Sequence, residues 1–317
     1  MDIVVLDGYC LNPGDLDWSK LGELGNLAVY DRTPYNRITE RMGEAPVMLT
    51  NKCVIDRAII DTLPNLRYIG ELATGYNNID IAYAASKGIT VTNIPAYSTE
   101  SVVQHVFALI LEIFSRAGTH DASVKNGDWV RSKDFCYYNG VSELSGKTIG
   151  IIGYGRIGRR VAEVAKAFGL NALAYNKGKT EGAGEGVRLT KTLEELLSQS
   201  DIVSLNCPLT AENAGFINKE TLKLFKDGSV LINTARGGLI NEKYLAEALE
   251  SGKIRAAGLD VLSKEPPDAS NPLLSAPNTV ITPHTAWATT EARARLLDIA
   301  VANLKAFLDG NPINKVN

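Results

Sequence analysis

The stretch Thr148-Ile149-Gly150-Ile151-Ile152-Gly153-Tyr154-Gly155-Arg156-Ile157-Gly158 decides how this chain folds. Its first five residues form an apolar run of strand length, the rest spell G-x-G-x-x-G, and a helical pattern from Arg156 to Phe168 is closed by Gly169. Glycine-rich turns are common in ordinary loops, and a turn without a ligand is the plain alternative. The flanking strand and amphipathic helix supply the context that a dinucleotide-binding turn requires. Gly153 permits the tight turn, Gly155 lets backbone approach a pyrophosphate, and Gly158 allows close packing of helix on strand. The N–H groups at the start of the helix face the anion with the positive end of the dipole, and Arg156 could add a charge-assisted contact. Tyr154 and Ile157 occupy the variable positions of the motif.

Working outward, the same alternation of short apolar strands and helices continues through Ala172–Tyr175, Asp201–Asn206, Ser229–Asn233, Ala256–Asp260 and Thr279–Thr282. Asn218 and Asn241 are good caps for two of the intervening helices. Before the motif, Ile3–Leu6, Ala45–Leu49, Leu66–Ile69 and Ile89–Thr92 form an earlier series. Ser98 and Thr99 then cap a strongly apolar helix running to Phe114, and residues 125–139 read as an irregular connection. A last helix spans Thr289 to Leu308. Short apolar runs joined by helices predict parallel sheets. The expected fold is therefore α/β, with two doubly wound parallel-sheet domains, Rossmann-like and flavodoxin-like, and a cleft between them. Residues 1–97 plus 288–317 would form one domain, and the inserted block 98–287 would form the dinucleotide-binding domain.

In a sheet of this kind ligands bind beyond the carboxyl ends of the strands. Three such ends carry chemistry: Asn233-Thr234-Ala235-Arg236-Gly237-Gly238, the Asp260 to Pro266 stretch with Glu265, and Thr282-Pro283-His284-Thr285-Ala286-Trp287. Arg236 suits a carboxylate clamp because guanidinium is permanently charged and bidentate. His284 suits proton transfer near neutral pH. Glu265, hydrogen-bonded to His284, would fix its tautomer and favour imidazolium. Each could instead belong to a structural ion pair. Together they match the reduction of a 2-keto acid by a nicotinamide, which supplies the hydride. His105, inside the apolar helix, reads as a satisfied buried histidine, and His120 as an exposed one.

NAD against NADP turns on the end of the second strand, where an Asp or Glu would accept from the ribose hydroxyls and repel a 2′-phosphate. Asn176 stands there and repels nothing. Lys177 or Lys179 could attract that phosphate, or both could be solvated loop residues, so either cofactor remains open.

These motifs, with Ala73-Thr74-Gly75-Tyr76-Asn77-Asn78-Ile79-Asp80, occur in the order of the D-isomer-specific 2-hydroxyacid dehydrogenases, which the chain resembles over essentially its whole length. The resemblance implies catalytic roles for Arg236, Glu265 and His284. It places backbone N–H groups of the Thr74-Gly75 loop on the substrate carboxylate, Thr99 toward the cofactor and Cys207-Pro208 beside the adenosine. Thr234, Ala235 and Asp260 would flank the nicotinamide. It also implies a homodimer joined through the cofactor domain's long helix and loop. Trp287, three residues after the histidine, resembles the glycerate dehydrogenase (hydroxypyruvate reductase) branch and would face the substrate, which points to hydroxypyruvate and D-glycerate or glyoxylate and glycolate. The rival from another class is a dinucleotide-sensing binding protein, like the corepressors that keep this fold.

The composition agrees with a small-molecule enzyme. The 317 residues are 45% hydrophobic and 22% charged, with a net charge of −3 and scattered Lys and Arg, which leaves no electrostatic footprint for nucleic acid or anionic lipid. The N-terminus reads as a strand rather than a signal peptide. The four cysteines lack metal-ligand or disulfide spacing, read mostly as small buried residues, and fit a reducing cytoplasm.

Overall fold

The computed structural model describes residues 1–138, 140–177 and 181–317. Lys179, one of the two phosphate-attracting candidates, lies outside the described residues. The chain divides into two compact units, Met1–Ser98 with Trp287–Asn317, and Thr99–Ala286. Trp287 thus belongs to the first unit.

The first unit is built on five parallel strands: β1 (Asp2–Val5), β2 (Asn26–Val29), β3 (Val47–Thr50), β4 (Tyr68–Glu71) and β5 (Thr90–Thr92), in the order β2-β1-β3-β4-β5. Period-two alternation sends Ile3, Val5, Val47, Leu49 and Tyr68 to one face. Val4, Met48, Ile69 and Val91 go to the other. Helix Thr290–Leu308 covers the first face with Ala292, Leu296, Leu297, Ala300 and Leu304. Its Thr289 cap accepts from the Ala292 N–H at 3.2 Å. Helices Ile38–Met42, Arg57–Asp61 and Ile81–Ser86 supply Ile38, Met42, Ile59, Ile60 and Ala84 to the second face.

The second unit holds seven parallel strands: β6 (Thr148–Ile152), β7 (Asn171–Tyr175), β8 (Val187–Leu189), β9 (Ile202–Leu205), β10 (Ser229–Asn233), β11 (Ile254–Leu259) and β12 (Thr279–Ile281). Their order is β12-β11-β10-β9-β6-β7-β8, so the direction of winding reverses between β6 and β9. That reversal is the dinucleotide-binding arrangement. Helices Thr99–Ser115 and Arg156–Ala167 bury one face. Helices Leu193–Gln199, Lys219–Leu224 and Glu242–Glu250 bury the other. The two asparagine caps act as expected: Asn218 accepts from Glu220 and Thr221, and Asn241 from Tyr244.

Four readings need correction. Strands β2 and β8 lie outside the expected series, because both are short: β2 offers only Leu27-Ala28-Val29 and is largely exposed, and β8 is interrupted by Arg188. The connection before β6 begins with helix Ala117–Lys125 and holds a helical turn at Asp128–Arg131. Of the cysteines only Cys53 is buried, while Cys10 and Cys136 are exposed and Cys207 is intermediate. His120 is half-buried, with Nδ1 against the Arg116 carbonyl at 2.9 Å.

Candidate active site

The glycine-rich turn lies at the winding reversal. Gly153 has φ +93°, and a Cβ there would sit 2.6 Å from the Cys207 nitrogen, so the turn is pressed against the end of β9. A Cβ on Gly158 would lie 2.1 Å from the Gly153 carbonyl oxygen, which fixes the close approach of helix and strand. At Gly155 the result is the opposite: among the described residues no heavy atom lies within 4 Å of a Cβ position, and the residue is exposed. The helix that follows has no side-chain cap, so the amides of its first turn are left for a ligand. An open Gly155 before an uncapped helix start is a cradle that fits a pyrophosphate. Arg156 is exposed beside it, and Ile157 is half-buried against the core.

Tyr154 departs from the binding expectation at the side-chain level. Its ring is 4% exposed within the core, Arg159 stacks over it at 4.6 Å, and its hydroxyl accepts from the Gly184 N–H at 3.2 Å. Only its backbone is left for a ligand. Asn176 directly follows β7 and is half-buried. Lys177 is exposed and paired with Glu212 at 2.7 Å. The Glu212 carboxylate raises the lysine's pKa and is itself held below its usual range. Cys207 is half-buried, with its thiol pushed up by burial, and Pro208 is exposed. Thr99 begins the buried helix and is partly exposed.

Arg236, Glu265 and His284 follow β10, β11 and β12, neighbouring strands of one sheet. His284 Nδ1 lies 2.6 Å from Glu265 Oε2, while Glu265 Oε1 accepts from the Leu262 N–H at 3.1 Å. A carboxylate only accepts, so Nδ1 carries the hydrogen. His284 adopts φ +57°, a left-handed conformation that side chains with a Cβ avoid. Its backbone N–H donates to the Asp260 carbonyl at 2.8 Å. Asp260, 1% exposed, accepts at Oδ1 from the Thr282 hydroxyl (2.6 Å) and Thr285 N–H (2.9 Å) and at Oδ2 from Ala286 N–H (2.8 Å). Burial pushes this carboxyl up, but bonds from His105, Thr282, Ala286 and Thr285 outweigh it and hold it below its usual range.

The Arg236 loop is set by a residue the motif reading passed over. Asn233, fully buried at the end of β10, donates to the Arg236 carbonyl at 2.9 Å and accepts from the Ala235 N–H at 3.0 Å. Thr234 and Ala235 are half-buried within this brace, and the Arg236 guanidinium is exposed, donating to the Ala235 carbonyl at 2.7 Å. Gly237 lies so close to the next loop that a Cβ would fall 1.9 Å from the Leu262 carbonyl carbon. Glu242, also unforeseen, accepts from Ser263 N–H and Oγ, both at 2.7 Å, and from Asn271 at 2.9 Å, anchoring the loop that carries Glu265.

Thr74, Gly75 and Trp287 lie in the first unit. Thr74 donates its hydroxyl to the Ile94 carbonyl at 2.7 Å, and its own carbonyl accepts from Asn93 at 2.8 Å, which pins the loop after β4. Trp287 is half-buried and meets Tyr97 edge-on at 6.2 Å.

A winding reversal with a glycine cradle, and an arginine, a glutamate and a histidine on adjacent strand ends, define a dinucleotide-dependent oxidoreductase. Residues 107–286 match the model of the D-isomer specific 2-hydroxyacid dehydrogenase NAD binding domain. The chain is 50% identical to hydroxypyruvate reductase of Blautia hydrogenotrophica, with 100% of both chains covered. It is 40% identical to glycerate dehydrogenase of Methylorubrum extorquens, with 88% of each covered. A crystal structure of the NADPH-dependent glyoxylate/hydroxypyruvate reductase of Sinorhizobium meliloti, 28% identical, superposes with a TM-score of 0.86 over 99% of this chain and 97% of that one. The chain belongs to the D-isomer-specific 2-hydroxyacid dehydrogenase family. It is an NAD(P)-dependent enzyme acting on small 2-keto and D-2-hydroxy acids, and the sensing alternative is not favoured. Among the described residues no single helix is long and apolar enough to cross a membrane.

Proposed function

We propose that this enzyme reduces hydroxypyruvate to D-glycerate, with glyoxylate as a second substrate, using Arg236, Glu265 and His284. The observation that carries the chemistry is the 2.6 Å contact between His284 Nδ1 and Glu265 Oε2. Identity of 50% to a hydroxypyruvate reductase across all of both chains supports the substrate. The exposed Arg236 guanidinium binds the substrate carboxylate through two parallel N–H bonds. The backbone amides of the Thr74-Gly75 loop take part in binding that carboxylate, and Trp287 bounds the small side chain.

Bound nicotinamide supplies the hydride that reaches the carbonyl carbon. The Gly153–Gly158 turn and the uncapped helix start would hold the pyrophosphate, Asn176 would reach the ribose, Cys207 and Pro208 would flank the adenosine, and Thr99, Thr234, Ala235 and Asp260 would border the nicotinamide. His284, with Nδ1–H held by Glu265, gives the proton on Nε2 to the carbonyl oxygen and keeps the other. Glu265 stabilises the imidazolium before transfer and the correct tautomer afterwards.

The segment after the buried helix exposes Trp129 (50%), Val130 (88%), Phe135 (91%) and Tyr138 (82%), and such a patch supports a homodimer through this face. Two exposed free thiols, Cys10 and Cys136, support a reducing compartment such as the cytoplasm.

The experiment is a steady-state matrix of NADH and NADPH against hydroxypyruvate, glyoxylate, pyruvate and bulkier keto acids. The expected result is highest kcat/KM with hydroxypyruvate and loss of about a hundredfold or more in Arg236→Ala and His284→Ala. Preference for a bulky keto acid would reject the substrate, and near-normal turnover in either variant would reject its role.

A further inference from the structure

We propose that His105 is a positioning residue for the proton donor, acting as an Nε2–H tautomer through Thr282 and Asp260. This rests on the reading of His284 above. His105 lies on the apolar helix Thr99–Ser115, far from the three motifs in sequence, and its Nε2 is 2.8 Å from Thr282 Oγ1 and 3.4 Å from Asp260 Oδ1.

Hydrogen accounting fixes its tautomer. The Thr282 hydroxyl has one hydrogen and stands 2.6 Å from Asp260 Oδ1. Asp260 is a carboxylate, stabilised in that form by its donors, and can only accept. The threonine hydrogen is therefore committed to Asp260, and toward His105 the hydroxyl oxygen can only accept. The hydrogen in the 2.8 Å contact must come from His105 Nε2.

The consequence reaches His284 through the backbone. Asp260 holds residues on both sides of it: Thr282 before, and the Thr285 and Ala286 N–H groups after, while its own carbonyl takes the His284 N–H. A non-glycine residue at φ +57° is strained, so the loop keeps that conformation only while its surroundings over-determine it. Without the His105 donor, Thr282 can turn its hydroxyl away, and Asp260, 1% exposed, loses bonds for which water has little access. The loop then relaxes and the imidazole moves off its line to the substrate.

Three variants and one spectrum test this. In His105→Leu and Thr282→Val, kcat for hydroxypyruvate reduction falls about tenfold or more while KM for the cofactor stays within about twofold, since sub-ångström displacement of a reacting group acts on turnover. His105→Gln, whose amide can donate to Thr282, recovers most of the kcat. The double variant His105→Leu/Thr282→Val is no slower than the worse single one, because both act through one chain of bonds. In wild-type enzyme labelled with 15N-histidine, the His105 signals show hydrogen on Nε2, a readout independent of whether any variant folds. A wild-type kcat in His105→Leu, additive losses in the double variant, or an Nε2 without hydrogen would overturn the proposal. Undiminished turnover in His284→Ala would instead remove the site reading beneath it.

Discussion

Glu71 offers a stability prediction that can be worked from its surroundings. It ends β4 in the first unit, is fully buried, and has one oxygen, Oε2, 3.0 Å from Asn78 Nδ2, while Oε1 has no hydrogen-bond partner among the described residues. Burial pushes its carboxyl up from 4.5 to about 9, opposed by the Asn78 bond and Lys52 and reinforced by Asp7. In the folded enzyme it is therefore a neutral acid at pH 7, whereas the unfolded chain carries it ionised. Between 4.5 and about 9 the unfolded state binds fewer protons, so stability falls as pH rises across that window. The slope is about 1.4 kcal/mol per pH unit for a single proton. Glu71→Gln keeps the size and the acceptor for Asn78 but cannot ionise. Its stability advantage over wild type should therefore grow by roughly 2.7 kcal/mol from pH 6 to pH 8. For a unit of this size that is a widening of about 10 °C in the melting temperature of the first unit. Thermal melts of both proteins at pH 6, 7, 8 and 9, followed by near-UV circular dichroism, read it directly. A gap that does not change with pH would show that Glu71 has ordinary acidity in the folded state and would refute the reasoning.

Other consequences are equally specific. Gly158→Ala places a methyl 2.1 Å from the Gly153 carbonyl and should lose cofactor affinity and stability together, whereas Gly155→Ala, with no atom within 4 Å, should weaken cofactor binding at nearly unchanged melting temperature. Calorimetric binding and melting curves separate the two. Asp260→Asn turns an accepting oxygen into a donor facing Ala286, Thr285 or Thr282, so kcat should drop at least tenfold; unchanged kcat would remove Asp260 from the brace. Because its folded pKa is depressed, Asp260 contributes stability that is present above 3.8 and is lost as pH falls through the folded value, visible as acid destabilisation that the Asn variant lacks. Asn176→Asp should lower kcat/KM with NADPH relative to NADH, by repulsion of the 2′-phosphate; an unchanged ratio would show that the side chain does not meet the ribose.

The parallel sheets were legible because strands covered on both faces must be apolar nearly throughout, as in Ile3–Leu6 and Ile149–Ile152. Strands β2 and β8 escaped because their signal is weaker: the apolar run of β2 is only Leu27-Ala28-Val29 and largely exposed, and charged Arg188 stands at the centre of β8. Arg236, Glu265 and His284 were legible because short motifs at strand ends repeat the logic of the fold. Asn233, Glu242 and His105 were not. Each makes a hydrogen bond to a loop whose position depends on the assembled sheet, and His105 meets Thr282 across 177 residues of chain. Glu242, three residues after Leu239 in a helix start, carries the signature of a first-turn acid, and that signature alone names a capping role rather than an anchor for Ser263.

The net charge of −3 gives this enzyme no long-range pull on anionic substrates, so attraction has to be local, and for the cofactor the charged groups next to Asn176 are the ones to weigh. Lys177 is paired with Glu212, but both side chains are about four-fifths exposed (80% and 77%), and a pair so fully in water holds its partners only weakly. A 2′-phosphate, with about two charges, can take Lys177 from Glu212 at little cost, although the Glu212 charge nearby offsets part of the gain. A ribose hydroxyl leaves the pair intact. On the proposed reading, Asn176 would hydrogen-bond either without repelling one of them. These residues therefore exclude neither cofactor, and the balance rests on Glu212: Glu212→Gln frees Lys177 and should raise kcat/KM with NADPH several-fold while leaving NADH nearly unchanged, an effect that must shrink as ionic strength rises. A variant that gained equally with both cofactors would place the pair away from the ribose.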